Sequence, residues 1–122
     1  MEVTDVFIKG LKIIKPAIFE DDRGAFFESY NSEKFIEAGI KENFVQDNQS
    51  LSHKGILRGL HFQTGEYAQA KLVRVIKGSV IDVAVDLRKN AVTLGQHFSL
   101  ELNDKNNLMS YIPVGLALGF IS

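Results

Sequence analysis

Short apolar runs alternate with turn-forming residues along the chain, and within the runs apolar and polar positions follow the two-residue period of strands, not the 3.6-residue period of helices. The clearest case is Ser79 to Leu87, where Ile81, Val83, Val85 and Leu87 fall on one face and Val80, Asp82, Ala84 and Asp86 on the other. Gly95 to Leu102 repeats the pattern, setting Phe98, Leu100 and Leu102 against His97, Ser99 and Glu101. Lys71 to Ile76 predicts another strand, and the Lys77-Gly78 pair after it is short enough to turn the chain into a hairpin with Ser79 to Leu87. Further strands are predicted at Leu11 to Phe19, Ala25 to Tyr30, Phe44 to Ser50, Gly55 to Gln63 and Leu108 to Pro113. About eight antiparallel strands suit a sandwich or barrel with few open edges, so the expected class is all-β.

One helix interrupts the strands. Asn31 or Ser32 caps it, Glu33 sits in its positive first turn, Phe35, Ile36 and Ala38 give it an apolar face, and Gly39 ends it. It is short and expected at the periphery. The apolar run Val114 to Ser122 has no polar tail. It reads as an end cut short of its natural unit or covered by a partner, the alternative being a last strand tucked into the core.

Length and composition narrow the picture. The 122 residues, 45% of them hydrophobic, suffice for a single domain over 1–122 with an ordinary core. Fourteen basic and 15 acidic side chains nearly cancel, so no field of one sign draws the chain to nucleic acid or a membrane surface. The absence of cysteine removes disulfides, thiolate metal sites and cysteine nucleophiles together, and fits a reducing compartment. Met1 to Asp5 carries no basic start, and no stretch approaches the roughly 18 apolar residues of a spanning helix. The expected location is the cytoplasm.

Polar side chains cluster inside otherwise apolar strands at Gln46-Asp47-Asn48, at Arg58-Gly59-Leu60-His61-Phe62-Gln63 and at Lys71. A buried unpaired charge costs several kcal/mol, so such positions need a reason. Arg58 and His61 lie three apart, which strict alternation would place on opposite faces; Gly59 between them can host the bulge that re-aims one. His53 sits in a polar loop and His97 on a polar strand face, which leaves His61 as the histidine in a setting suited to chemistry. Asp22-Arg23-Gly24 reads as a tight turn, with Arg23 as an anion hook in the functional reading. Phe26, Phe27 and Phe62 read first as core. Asp82 and Asp86 could form an acid/base pair, but a solvated or hydrogen-bonded strand face is the simpler account.

Many barrels of this type bind metal through a His-x-His pair, a later Glu and a distant His. Here the pair is His61-Phe62-Gln63, Glu66 is the only later carboxylate in place, and Leu118 stands where an imidazole would be needed. Two ligands fall short of the three that a catalytic metal uses, so neither a metal nor any other cofactor is expected. No phosphate loop, nucleophile elbow or dinucleotide fingerprint is present either, which leaves proton transfer as the chemistry.

Read in order, these segments resemble the dTDP-4-dehydrorhamnose 3,5-epimerase family. The resemblance is carried by Asp22-Arg23-Gly24 with Phe26, Phe27 and Glu28, by Phe44-Val45-Gln46-Asp47-Asn48, and by Gly55 to Gln63. Lys71 to Val75 with Gly78, Asp82 to Arg88, Gly95-Gln96, and Ile112-Pro113 with Gly115 continue it. It implies a cupin-type jelly-roll barrel, usually a homodimer, acting on a dTDP-linked 4-keto-6-deoxy sugar on the route to dTDP-L-rhamnose. His61 matches the family's general base and Lys71 the cation that steadies the enolate oxygen. Arg23, Gln46, Asn48 and Arg58 match contacts to the nucleotide and pyrophosphate, with Asp47 between two of them. Glu28 and Phe26 match residues reaching the thymidine end, across the dimer.

Three departures accompany the resemblance. The family's proton-donating tyrosine and the aspartate that orients its histidine match no position in these 122 residues, Tyr67 and Tyr111 standing elsewhere. Leu118 occupies a position where the family usually has a histidine. The expectation is therefore weak or absent turnover by this chain alone. The competing readings are a sugar-nucleotide-binding module without turnover, an epimerase working at a single carbon, and a scaffold that only dimerises.

Overall fold

The structure, a computed structural model, describes residues 1–62 and 68–122. Among the described residues, ten strands and one helix follow in the order β1 (Glu2–Asp5), β2 (Lys12–Lys15), β3 (Ile18–Asp21), β4 (Gly24–Phe27), α1 (Ser32–Glu37), β5 (Leu57–His61), β6 (Lys71–Arg74), β7 (Ser79–Asp86), β8 (His97–Asn103), β9 (Met109–Ile112) and β10 (Leu116–Ile121). They form an antiparallel sheet β1-β2-β9-β6, a second antiparallel sheet β5-β10-β7-β8, and a separate hairpin β3-β4. This is the two-layer, all-β architecture that the alternation demands, with the expected helix added at one side.

Alternation on β9 divides the interior into two cores. Ile112 joins Ile8, Leu11, Ala84 and Leu116 between the sheets, while Met109 and Tyr111 turn outward to pack with Ile14, Phe35 and Ile40 beneath α1. The helix is thus fastened by Phe35, and Asn31 caps it through Oδ1, which accepts from the Lys34 amide at 3.2 Å. Asn31→Ala is expected to cost about 1 kcal/mol in denaturant unfolding, since it orphans one amide of a six-residue helix.

Several sequence expectations are corrected. The strand predicted over 11–19 breaks into β2 and β3 around Pro16, which has no amide to donate to a ladder. The hairpin predicted at Lys77-Gly78 does not form, because β6 pairs with β9 in one sheet and β7 with β8 and β10 in the other. The turn is instead a corner between layers, held by reciprocal bonds of 3.0 Å from the Gly78 amide to Asp104 Oδ2 and from the Asp104 amide to the Gly78 carbonyl. The strand predicted over 44–50 is absent: no neighbouring strand offers it a ladder, and Val45 is 90% exposed.

The run 114–122, read as an end cut short or covered by a partner, with a last strand tucked into the core as the alternative, holds the interior strand β10, flanked on both sides by β5 and β7. On β7 the wholly apolar face is the outer one, where Ile81 is 40% exposed. The face bearing Asp82, Ala84 and Asp86 is the buried one. Two carboxylates inside a core require partners, and Asp86 has them. Arg88 Nε and Nη2 donate to its two oxygens at 3.0 and 3.1 Å, and Thr93 Oγ1 donates at 2.5 Å. These bonds hold the Asp86 carboxyl down at about 2 against the cost of its burial.

Candidate active site

His61 ends β5 and Lys71 begins β6, so the two side chains come from edge strands of opposite sheets. Both line one cavity of about 250 Å³, together with Phe62, Gln69, Ile112, Gly115, Leu116 and Leu118. Its floor is apolar, made by Ile112, Leu116 and Leu118, and its polar groups stand on the β5 and β6 side. Gly115 belongs to the rim for a steric reason: its φ is +100°, and a Cβ there would fall 2.5 Å from Arg88 Cγ. The Asp86–Arg88 pair therefore braces one wall of the cavity.

The bulge demanded by Arg58 and His61 is present. Leu118 pairs with His61 and Phe120 with Arg58, so two residues of β5, Gly59 and Leu60, oppose the single Gly119 of β10, and the register shifts there. Residues directly opposite in an antiparallel pair share a face, which puts His61 and Arg58 on the inner face with Leu118 and Phe120. Gly59 makes this possible with φ of +118° and with the β10 backbone pressed against it. Arg58 does not line the cavity; its Nε donates to Ser52 Oγ at 2.7 Å.

The other candidates lie outside this cavity. Arg23 is tied to Asp21 at the tip of the β3–β4 hairpin, with Nη2 donating at 2.8 Å, and Phe26 on the same hairpin is 74% exposed. Glu28 pairs with Lys34 at 3.1 Å. Gln46 Nε2 donates to Asn48 Oδ1 at 3.2 Å, and Asp47 beside them is exposed. Gln63, Glu66 and Tyr67 lie outside the described residues. Among the described residues, no three His, Asp or Glu side chains converge as metal ligands. Tyr111 packs on the helix side of β9, facing away from Ile112 and the cavity, where burial and the Glu42 carboxylate push its phenol upward.

Sequence reasoning missed the floor. Leu118 was marked only as a leucine at a position where the family usually has a histidine; Leu116 was hidden in an apolar run with nothing to distinguish cavity lining from core, and Gln69 carries no local signal. It also set Asp82 aside. In the structure this side chain is 3% exposed, accompanied by Ser110 from the facing sheet, and its Oδ1 has no partner among the described residues. Burial pushes its carboxyl up to about 7.

Two antiparallel sheets enclosing a small cavity with an imidazole and an ammonium at its mouth define a jelly-roll of the cupin type. Comparison with known proteins gives the particular family. Residues 5–122 match the family model described as dTDP-4-dehydrorhamnose 3,5-epimerase. The chain is 50% identical to the dTDP-4-dehydrorhamnose 3,5-epimerase of Salmonella typhimurium over 123 aligned residues, covering all of this chain and 67% of that protein. The crystal structure of the Elizabethkingia anophelis dTDP-4-dehydrorhamnose 3,5-epimerase superimposes with a TM-score of 0.93 at 50% identity, covering 99% of this chain and 67% of that one. A Legionella pneumophila dTDP-6-deoxy-D-glucose-3,5-epimerase, solved in complex with dTDP-4-keto-L-rhamnose, gives 0.94 at 45% identity, covering 98% and 64%. The chain belongs to the dTDP-4-dehydrorhamnose 3,5-epimerase family. It spans about two thirds of the length of the relatives it matches.

Proposed function

We propose that this chain carries the proton-abstracting half of a 3,5-epimerase site for a dTDP-linked 4-keto-6-deoxy sugar. The observation that carries the reading is the convergence of His61 and Lys71 on one cavity with an apolar floor. A carbon next to a ketone gives up its proton only when the charge moving onto oxygen meets a donor already in place. One such donor is worth about 3–4 kcal/mol. His61 takes the proton, Lys71 receives the enolate oxygen, and a positioned base adds a further hundredfold to ten-thousandfold or so. Proton return on the opposite face inverts the carbon.

At about 250 Å³ the cavity is smaller than the roughly 300–1,000 Å³ of sites that enclose a whole drug-sized ligand. It suits the sugar ring, and the nucleotide then extends outside it. Arg23 and Arg58 supply planar cationic forks for the diphosphate, and Gln46, Asn48, Glu28 and Phe26 contact the nucleotide. The β3–β4 hairpin pairs only with itself, with Phe19 opposite Phe26 and both well exposed. In a homodimer, this arm brings Arg23 and Phe26 to the partner's cavity.

Incubation with the 4-keto-6-deoxy sugar nucleotide in deuterated water, followed by mass spectrometry, tests the reading. Deuterium uptake beside the ketone that disappears in His61→Ala supports it, and uptake unchanged in that variant overturns it. A second reading, a sugar-nucleotide-binding module, is favoured by Arg23, Gln46 and Asn48 standing outside the cavity that His61 and Lys71 line; calorimetric binding with no deuterium uptake is its signature.

A further inference from the structure

Gln46 and Asn48 stand on a segment that the sheets do not hold. Residues 40–53 form neither strand nor helix, and every side chain from 45 to 51 is exposed. Gln46 Nε2 donates to Asn48 Oδ1, which fixes the two side chains relative to each other and not relative to the barrel. The last side chain to enter the core before them is Phe44, and the first hold after them is Ser52, whose Oγ accepts from Arg58 Nε at 2.7 Å. The Phe44 ring packs against the helix-side core and meets Tyr30 edge-on at 5.7 Å and 82°, and Tyr111 at 6.4 Å and 78°. At such separations the positive edge of one ring attracts the negative face of the other, worth about 0.5–1.5 kcal/mol a pair beyond the area buried. Both supports are themselves fixed. Tyr111 lies on β9, opposite Lys12 of β2 on one side and Leu72 of β6 on the other, and Tyr30 rests edge-on against Phe35 of α1 at 4.8 Å.

We propose that Phe44 is a positioning residue for the nucleotide: held by Tyr30 and Tyr111, its ring sets where Gln46 and Asn48 stand relative to the cavity of His61 and Lys71. The inference rests on the reading of Gln46 and Asn48 as nucleotide contacts. An extended chain covers at most about 3.3–3.6 Å per residue, so Gln46, two residues past Phe44, stays within about 7 Å of the anchored Cα. A smaller, non-aromatic side chain at position 44 gives up both edge-on contacts. With no ladder to hold it, the segment then samples arrangements in which its amides miss the nucleotide. The apparent affinity falls in proportion to the fraction of time that the competent arrangement is populated.

Calorimetric titration with dTDP tests the inference. Phe44→Leu is expected to raise Kd about tenfold, the competent arrangement then being populated about a tenth of the time. Ile14→Val thins the same core from β2, and should lower the urea midpoint while leaving Kd unchanged. In a Gln46→Ala background, the further rise caused by Phe44→Leu should shrink below about threefold, because one of the groups that the ring places is gone. An unchanged Kd in Phe44→Leu, an equal rise in Ile14→Val, or a rise of full size in the Gln46→Ala background overturns the inference, while dTDP binding by the unaltered chain leaves the sugar-nucleotide reading standing. Failure of the unaltered chain to bind dTDP overturns both. Should Phe44→Leu not fold, Tyr30→Leu, which removes the partly exposed support of the ring, decides by the same comparisons, with a rise of about threefold expected.

Discussion

Gly59→Ala is expected to be the most damaging single substitution in the molecule. A Cβ at this position would stand 2.5 Å from Gly119 Cα and 2.9 Å from the Leu118 carbonyl oxygen, and both obstacles are backbone of the central strand β10. Neither can move without tearing the β7–β10 ladder, whose register runs unbroken from Leu116 to Ile121. The left-handed φ of +118° adds its own strain. A loss of about 3–5 kcal/mol follows, a large part of the stability of a domain this size. Gly24→Ala is the control: its φ is +135°, but nothing lies within 4 Å of the added carbon, so only the backbone strain of about 1–2 kcal/mol remains. Equal midpoints for the two variants in a urea titration would remove the claim that the bulge requires a residue without a side chain.

The second large effect is a fall in stability as pH rises from about 4 to 7. Asp82 has its carboxyl pushed from 3.8 to about 7 by burial, so between those values the folded chain holds a proton that the unfolded chain has lost. Each unit of pH across that window then favours unfolding, with a total on the order of 4 kcal/mol and no further loss above about 7. Asp86 acts in the opposite sense and in a lower window. Its carboxyl is depressed to about 2, so its contribution is complete above 3.8 and disappears as pH falls toward 2. The summed contribution of these two groups is greatest near pH 4. Asp82→Asn keeps a neutral side chain beside Ser110 at every pH and should flatten the upper limb, making the variant more stable than the unaltered chain at pH 8. An upper limb equally steep in the variant would mean that another group is responsible.

Both effects come from contacts that sequence could name only in part. Gly59 was legible as a bulge because Arg58 and His61 needed to share a face, and the register bears that out. That Gly119 would be the residue pressed against it, sixty positions away, was not legible. Asp82 and Asp86 were legible as carboxylates on one strand face. Which face the barrel would close over depends on what β9 and β10 bring to it, and the one turned inward is the one with the carboxylates.

Local signals determined the rest of what sequence could determine. Period-two alternation made the protein a β-structure, Asn31 and Gly39 bounded the one helix, and Gly59 between Arg58 and His61 marked a bulge beside the chemistry. These features are decided by neighbours within a few residues, through side-chain direction, backbone φ and short hydrogen bonds. Strand partnership is decided by whichever segments bury the most apolar surface with their ladders satisfied. Only the tertiary structure could therefore send β6 and β7 to different sheets, leave 44–50 without a partner and draw β10 into the centre. Only it could set Leu118 opposite His61, and so make part of the apolar run over 114–122 the floor of the site.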